Sequence, residues 1–150
     1  MDIKSGCKYP ASALSNFAPH PFKFRGFDVA SMEGLLQGTK FKSKEMQAEV
    51  FTLSGKAAKF KGKKKNWKRT QTLWFQGQEM KRDSKEYQEF LDEAYDALAK
   101  NTKFKAALLA TGDAVIKHSI GRRKQSETVL TRSEFCSRLT KLRMRLKNEE

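Results

Sequence analysis

Apolar side chains recur at helical spacing in the middle of the chain and predict a long amphipathic helix over residues 83–100. The apolar stripe consists of Tyr87, Phe90, Leu91, Ala94 and Leu98. Asp83 and Glu86 precede this stripe in a pattern similar to a capping box, so we expect the helix to begin at Asp83. Seven acidic residues between Glu79 and Asp96 are expected to offset the basic residues just before them.

Two further helices are predicted in the last third of the chain. Asn101 or Thr102 begins a short helix that Gly112 ends. Thr131 and Glu134 form a Thr-x-x-Glu capping box for the final helix. The buried stripe of that final helix consists of Phe135, Leu139, Leu142 and Leu146.

Alternating apolar residues and turn residues predict short strands. Phe22, Phe24 and Phe27 flank Arg25-Gly26 and indicate a hairpin. A second hairpin is expected around Gln76-Gly77, and the stretch "DAVIKHS" at residues 113–119 is expected to be a strand.

The stretch "SMEGLLQGTKF" at residues 31–41 predicts a helix capped by Ser31, and residues 42–51 continue it or form the next helix. Glu33, Gln37 and Lys40 lie at i, i+4 and i+7, within about 60° of one another on a helical wheel. The helix macrodipole would favour the ionised form of Glu33. Because this polar stripe borders apolar surface, Lys40 could lose its proton and act as a nucleophile, although such spacing is also ordinary on a solvated helix face.

The chain has a large excess of basic residues. The chain has 150 residues, enough for one domain, and a formal charge of +14. Such a bias indicates a polyanionic partner such as nucleic acid, or else a solubilising surface. From Val50 to Gln78 there is no acidic residue, while eight lysines and arginines fall within residues 56–69.

Aromatic residues accompany this basic run, which leaves two interpretations open. Phe60, Trp67, Trp74 and Phe75 could stack on bases while the cations contact phosphates. Alternatively, the run is a mobile lysine-rich loop and the tryptophans pack in the core.

The sequence argues against several classes of site. Residues 1–10 have no apolar run of a signal peptide, and no stretch could span a membrane. Cys7 and Cys136 are isolated and are expected to be reduced cytosolic thiols. His20 and His118 have no metal-ligand spacing, so we expect neither a metal nor a cofactor. The expected location is cytoplasmic.

Two ordered signatures resemble those of the NADAR superfamily, the NAD- and ADP-ribose-associated domains. The first consists of Ser15-Asn16-Phe17, Pro19, Phe22 or Phe24, Gly26, Ser31-Met32-Glu33, Gln37 and Lys40-Phe41. The second consists of Leu108-Leu109-Ala110-Thr111-Gly112 and Ser119. The resemblance covers about residues 13–145, and the segments "LWFQGQEMKRDSKEYQEF" and "HSIGRRKQSETVLTRSEFCSRLTKLR" are similar to a divergent branch associated with large tailed bacteriophages.

The resemblance implies an α+β fold, a single compact and mainly helical domain with a few short strands, over residues 1–150. It also implies an N-glycosidase that cleaves the bond between a base nitrogen and a ribose anomeric carbon. The signature lysine, Lys40, would attack the anomeric carbon and form a Schiff base with the opened sugar. Glu33 would stabilise the positive charge on the sugar or relay protons.

Further site residues follow from the same resemblance and from residue chemistry. The substrate-binding candidates are Asn16, Phe17, Arg25, Gln37, Thr111, Gly112, His118 and Ser119. Asn16 and Phe17 could instead be a turn residue and a core anchor, and Lys42 and Lys44 are weaker phosphate candidates. The nucleic-acid-binding candidates are Lys63, Lys64, Lys65, Lys68, Arg69, Arg122 and Arg123.

The sequence departs from the family at one position. Many members have a site aspartate after the late serine, followed by Trp-Gly, whereas this chain has Arg122 there and no Trp-Gly. His118 or Arg122 could substitute for the missing aspartate.

The predicted function is removal of ADP-ribose from guanine in nucleic acid, which would suit an antitoxin or a counter-defence protein. The alternatives are an N-glycosidase acting on free ribosylated intermediates of the riboflavin pathway, or a non-catalytic module that binds ADP-ribose or nucleic acid. A monomer without membrane contact is expected, located in the host-cell cytoplasm if a phage encodes the protein.

Overall fold

Seven α-helices and two antiparallel hairpins form the fold in the computed structural model, which describes residues 1–149. The helices are α1 (Ala11–Leu14), α2 (Met32–Gly38), α3 (Lys44–Phe51), α4 (Gly55–Lys63), α5 (Lys85–Leu98), α6 (Thr102–Ala110) and α7 (Arg132–Asn148). The strands are β1 (Phe22–Phe24), β2 (Phe27–Val29), β3 (Thr72–Phe75) and β4 (Gln78–Lys81). The predicted α+β class, mainly helical with a few short strands, is confirmed.

Both predicted hairpins are present, and their turns have the geometry that two-residue loops require. Phe24 pairs with Phe27 across Arg25-Gly26, and Phe75 pairs with Gln78 across Gln76-Gly77. Both residues of each turn have positive φ, at 49° and 86° in the first hairpin and 49° and 84° in the second. Such turns match the right-handed twist of the strands.

Helix α5 crosses the core, and every residue of its predicted apolar stripe is buried. Rings from both hairpins pack against it: Phe24 and Phe75 meet Phe90 with centroids 5.1 and 5.9 Å away. The stripe also includes Tyr95, which is 1% exposed and lies four residues after Leu91, although the predicted stripe left it out. Burial of these rings is the main source of core stability.

Helices α5, α6 and α7 begin at side-chain caps, with one correction to the predicted starts. Ser84 caps α5 by accepting a hydrogen bond from the Tyr87 N–H at 3.1 Å, so the predicted start at Asp83 is wrong by one residue. The predicted Thr131–Glu134 capping box is present at the start of α7, with hydrogen bonds of 3.1 and 2.8 Å. Asn101 caps α6, and Gly112 follows that helix at a φ of +59°, as predicted.

The predicted strand at residues 113–119 is wrong. This segment forms one isolated bridge with the start of the chain, in which Ile3 N–H donates to the Lys117 carbonyl at 2.8 Å. Since its neighbour is only a few residues of extended chain, no strand ladder develops.

The basic run forms structure rather than a mobile loop. Its first part is α4, and Trp67–Arg69 forms a 3₁₀ turn after it. Trp67 is buried in the core, as the core-packing interpretation requires, whereas Trp74 is only half-buried. Within residues 1–149 no helix combines the length and the apolar character needed to cross a bilayer.

Candidate active site

Helix α2 presents the predicted polar stripe. Ser31 caps the helix, because its Oγ accepts a hydrogen bond from the Gly34 N–H at 3.0 Å while donating to the Leu53 carbonyl at 3.1 Å. The helix ends at Gly38, two residues before Lys40. The prediction that the helix extends through Lys40 is therefore wrong. Lys40 N–H still donates to the Gln37 carbonyl at 3.2 Å, and this tight turn leaves both residues lining the same cleft.

Three glycines set how closely the neighbouring helices approach α2. A Cβ on Gly34 would lie 2.4 Å from the Leu53 carbonyl oxygen, and a Cβ on Gly38 would lie 2.5 Å from the Phe51 ring. A Cβ on Gly62 of α4 would lie 1.8 Å from Gln37 Oε1. The absence of side chains at these positions therefore brings the lysines of α4 next to the polar stripe of α2.

Two adjoining clefts meet over this stripe. The first, of about 610 Å³, is lined by Lys40, Trp67 and the lysines that follow α4. The second, of about 480 Å³, is lined by Asn16, Phe17, Glu33 and His118. The two clefts share Gln37, Lys59, Arg122, Thr128 and Val129.

Glu33 is buried at the floor of the second cleft. Burial raises the pKa of its carboxyl, against the opposing effects of Gln37, Lys40 and Lys59. Gln37 Nε2 donates to Glu33 Oε1 at 2.8 Å and fixes the carboxyl in place. The macrodipole was expected to favour the ionised form, but desolvation dominates, so Glu33 keeps its proton to a higher pH than a solvated glutamate.

Lys40 is perturbed in the complementary direction. Burial lowers the pKa of its amine to about 8, Glu33 opposes that change, and the charges of Lys68 and Lys59 add to it. A substantial fraction of Lys40 is therefore neutral near physiological pH, which is the form that a nucleophilic lysine needs. Glu33, whose pKa is raised, and Lys40, whose pKa is lowered, therefore line two adjoining clefts over α2 and the turn after it.

Asn16 is oriented from beneath by α5. The Tyr95 hydroxyl donates to Asn16 Oδ1 at 2.9 Å, and the Asn16 carbonyl accepts from the Glu33 N–H at 3.1 Å. The amide nitrogen of Asn16 is thereby left for a ligand in the second cleft. Phe17 lies beside it with the Lys59 amine 5.8 Å from the ring centroid.

His118 closes the far wall of the second cleft. Its Nδ1 donates to the Ile3 carbonyl at 2.8 Å, because a carbonyl oxygen only accepts, and its ring packs on Phe135. In the neutral ring Nε2 then carries a lone pair. Arg122, at the position of the missing aspartate, lines both clefts and pairs with Glu127 at 3.6 Å.

Several predicted substrate-binding residues lie elsewhere. Arg25 is held by Glu93 with hydrogen bonds of 2.9 and 3.0 Å and lines neither cleft. Thr111 is buried under Arg143, whose Nη1 donates to its Oγ1 at 2.7 Å, and Gly112 follows it outside both clefts. Ser119 is bonded to Asp2, which takes hydrogen bonds from its N–H and its hydroxyl at 2.8 and 2.5 Å.

The basic residues divide into paired and unpaired groups. The acids of α5 were expected to offset the basic run. Asp92 and Asp96 instead pair with Arg138 and Arg145 of α7, at 2.9 and 3.0 Å. Among residues 1–149, the cations that line the first cleft without an ion pair are Lys40, Lys59, Lys63, Lys64, Lys65 and Lys68. Arg69 and Arg123 do not line this cleft.

Sequence reasoning did not single out two residues that shape the site. Lys59 lines both clefts, and Tyr95 holds Asn16. Nothing in the sequence distinguishes Lys59 from the other lysines of the basic run. Tyr95 follows Ala94 at the edge of the predicted apolar stripe and could have been included in it. In the described part of the chain, no group of three or more His, Cys, Asp and Glu side chains could hold a metal ion.

Three comparisons relate this chain to known proteins, and one of them, with a solved structure, supports the fold. The family model described as bacteriophage protein GP30.3 matches residues 8–144. A protein of Enterobacteria phage T4, described as an uncharacterized 17.1 kDa protein in the Gp30–rIII intergenic region, is 38% identical over 148 residues, which cover 95% of this chain and 96% of the phage protein. The NMR structure of the E. coli protein YbiA matches with a TM-score of 0.64 at 20% identity, covering 99% of this chain and 85% of that one.

Proposed function

The chain belongs to the bacteriophage GP30.3 protein family, and we propose that it is an N-glycosidase that removes ADP-ribose from guanine in nucleic acid. One observation carries the proposal: Glu33 and Lys40 lie in two clefts that share Gln37, and burial shifts both pKa values toward the neutral forms. The resemblance of residues 13–41 to the NADAR signature supports the same pair, and the YbiA-like fold is compatible with it.

In the first step, the neutral Lys40 Nζ attacks the anomeric carbon of the ribose. The bond from that carbon to the guanine nitrogen breaks, and its electron pair leaves with the base. Glu33 supplies the proton that neutralises the departing nitrogen, which a carboxyl with a raised pKa can do at a higher pH than a solvated one. The Glu33 carboxylate that remains stabilises positive charge on the sugar.

In the second step, the ring C–O bond opens and leaves a protonated Schiff base between Lys40 and the sugar. The ring oxygen becomes a hydroxyl, taking the proton that the attacking amine gives up. Water then adds to the imine carbon, the C–N bond to Lys40 breaks, and free ADP-ribose is released. Gln37, bonded to Glu33, holds the carboxyl in position throughout.

The basic lining of the first cleft supports nucleic acid as the substrate. Apart from Lys40, whose neutral form the mechanism uses, five unpaired lysines line the first cleft and would attract a polyanion, so that its binding falls steeply with salt. Removal of ADP-ribose from such a substrate would reverse a toxin's mark, a role that suits an antitoxin or a counter-defence protein.

The test is release of ADP-ribose from an oligonucleotide that carries ADP-ribosyl guanine. Lys40→Ala is expected to reduce release by about 100-fold or more, because it removes the nucleophile. Lys42→Ala is the matched control, since Lys42 is a neighbouring lysine that lies 5.3 Å from the Trp74 ring centroid and lines neither cleft. Borohydride should trap a covalent adduct in the wild type and in Lys42→Ala, but not in Lys40→Ala.

Equal release by wild type and Lys40→Ala would refute the mechanism. Turnover of free ribosylated pathway intermediates that does not change with salt would replace nucleic acid by a small substrate. Binding of ADP-ribose or nucleic acid without any release, unaffected by Glu33→Ala and Lys40→Ala, would replace the enzyme by a binding module.

A further inference from the structure

Phe60 is the exposed aromatic residue of the acid-free segment. Its side chain is 59% exposed on α4, whereas Trp67 is buried and Phe75 packs against the core. Trp74 is half-buried on the second hairpin, beneath the Lys42 amine. A single exposed apolar side chain is ordinary on a protein surface, so the significance of the Phe60 ring depends on the residues around it.

The surroundings of Phe60 are cationic and continuous with the first cleft. The Lys64 amine lies 4.4 Å from the Phe60 ring centroid. Lys64 itself lines the first cleft, together with Lys40 and with Lys63 from the same helix. A ligand that extends out of the cleft over Lys64 therefore reaches the Phe60 ring.

The charge of this surface is not neutralised within the described part of the chain. Lys63 and Lys64 make no ion pair in residues 1–149, whereas Arg138 and Arg145 of α7 pair with acids of α5. Unpaired cations beside an exposed ring match a chain of phosphates with accessible bases, because the cations meet the phosphates while the ring stacks on a base. An apolar protein partner would match the ring but not the cations.

We propose that Phe60 and Lys64 form a stacking site for an unpaired nucleobase adjacent to the modified guanine. The proposal rests on the proposed function for the guanine itself and deepens it by naming the strand state. A base inside a duplex is already stacked on both faces and cannot lie against Phe60. The favoured substrate is therefore single-stranded, with at least one nucleotide next to the modified one.

The experiment measures binding of unmodified single-stranded and duplex oligonucleotides by fluorescence anisotropy. Phe60→Ala should weaken single-strand binding by about 5- to 100-fold, the usual range for loss of one stacked base, and should leave duplex binding nearly unchanged. Phe60→Trp keeps an aromatic ring at this position and should retain single-strand binding. Met144→Ala is the matched control, because Met144 is 65% exposed on α7 and the neighbouring Arg145 is ion-paired with Asp96.

A second measurement separates charge from stacking. The slope of log affinity against log salt is negative, and Lys64→Ala should make it shallower by about 0.7. Phe60→Ala should leave that slope unchanged. The inference is overturned if Phe60→Ala weakens binding no more than Met144→Ala, or weakens single-strand and duplex binding equally.

This outcome is independent of catalysis. If ADP-ribose release did not depend on Lys40 while Phe60→Ala still weakened single-strand binding selectively, the proposed function would fail and the stacking site would stand. If release depended on Lys40 and was unaffected by Phe60→Ala on a single-stranded substrate, the stacking site would fail and the proposed function would stand.

Discussion

At the scale of single residues, the site depends on two opposite effects of the same burial. Removing water disfavours the charged form of any group, so it raises the pKa of the Glu33 carboxyl and lowers the pKa of the Lys40 amine to about 8. Attraction between the two opposes both shifts without cancelling them. The pair is thereby biased toward a neutral acid beside a neutral amine.

The first prediction concerns the pH dependence of release. Below about pH 8, Lys40 becomes protonated and loses the lone pair that the proposed mechanism requires for attack on the sugar. Release also needs the protonated form of Glu33, so the single-turnover rate should pass through a maximum and fall by up to about tenfold for each pH unit at the acidic and alkaline extremes. Single-turnover release measured from about pH 4 to about pH 10 checks this, and a rate that does not fall toward acidic pH would contradict the role of Lys40.

The second prediction concerns stability and Glu33. Its pKa in the folded protein is raised above the ordinary value of 4.5, so the folded state binds this proton more tightly than the unfolded state. The resulting stabilisation is fully present below pH 4.5 and is lost as the pH rises through the folded-state pKa. Glu33→Gln has no such loss, so its Tm relative to wild type should increase from acidic to neutral pH.

Thermal unfolding of both proteins at several pH values tests this expectation. A Tm difference that stays constant, or that decreases toward neutral pH, would mean that burial of Glu33 carries no penalty. Glu33→Gln should also lose activity, since an amide cannot give a proton to the leaving base.

At the scale of elements, close approach of α4 to α2 creates the first cleft. Gly62 faces Gln37 so closely that no side chain fits between them. Gly34 lies equally close to the Leu53 carbonyl, and Gly38 to the Phe51 ring. Glycines in a helix usually reduce its stability, so their presence here is explained by packing rather than by helix propensity. The lysines of α4 line the candidate active site because of this contact.

The third prediction tests that contact. Gly62→Ala would put a Cβ 1.8 Å from Gln37 Oε1, which must move or push α4 away. We expect a loss of about 1–3 kcal/mol in the free energy of unfolding, together with reduced release. Gly6→Ala is the control, because a Cβ at Gly6 meets nothing within 4 Å.

Denaturant unfolding of both variants provides the measurement. Alanine is normally the better helix former by about 0.5–1 kcal/mol, so a stabilised Gly62→Ala protein would contradict the packing argument.

At the scale of the whole molecule, a buried ion pair connects the second hairpin to α7 and to the loop that lines both clefts. Arg82, with no exposed surface, donates to Glu134 Oε1 and Oε2 at 2.6 and 3.1 Å and to the Thr128 carbonyl at 2.7 Å. Burial alone would raise the pKa of Glu134, but hydrogen bonds from Arg82 and the Thr131 N–H outweigh it and lower that pKa. Thr128 lines both clefts, so this pair fixes one wall of the site.

The fourth prediction compares this pair with an exposed one. Arg82→Met leaves Glu134 buried without its cation and should cost about 3–5 kcal/mol in the free energy of unfolding. Arg145→Met breaks the ion pair with Asp96, in which both side chains are about half exposed, and should cost no more than about 1 kcal/mol. Equal losses, measured by denaturant unfolding, would show that Arg82 is not the anchor described here.

Local patterns predicted much of this fold because local physics determines it. The hairpin at Arg25-Gly26 follows from turn chemistry, and the capping box of Thr131 and Glu134 follows from the unsatisfied N–H groups of a helix start. The strand expected at residues 113–119 failed because a strand needs a partner, and only the fold shows that its partner is a few residues at the start of the chain. The same limit hid Tyr95, whose hydroxyl matters only because Asn16 lies above it.

The sequence by itself determined helices α2, α5, α6 and α7, both hairpins, the charge and the spacing of Glu33 and Lys40, since each depends on residues close together in the chain. Only the tertiary structure decided which candidates lie together. It kept Asn16, Phe17, His118 and Arg122 in the same cleft as Glu33 and directed Arg25 to Glu93. It also decided which cations are unpaired and left Phe60 exposed, because ion pairing and burial depend on elements far apart in the chain.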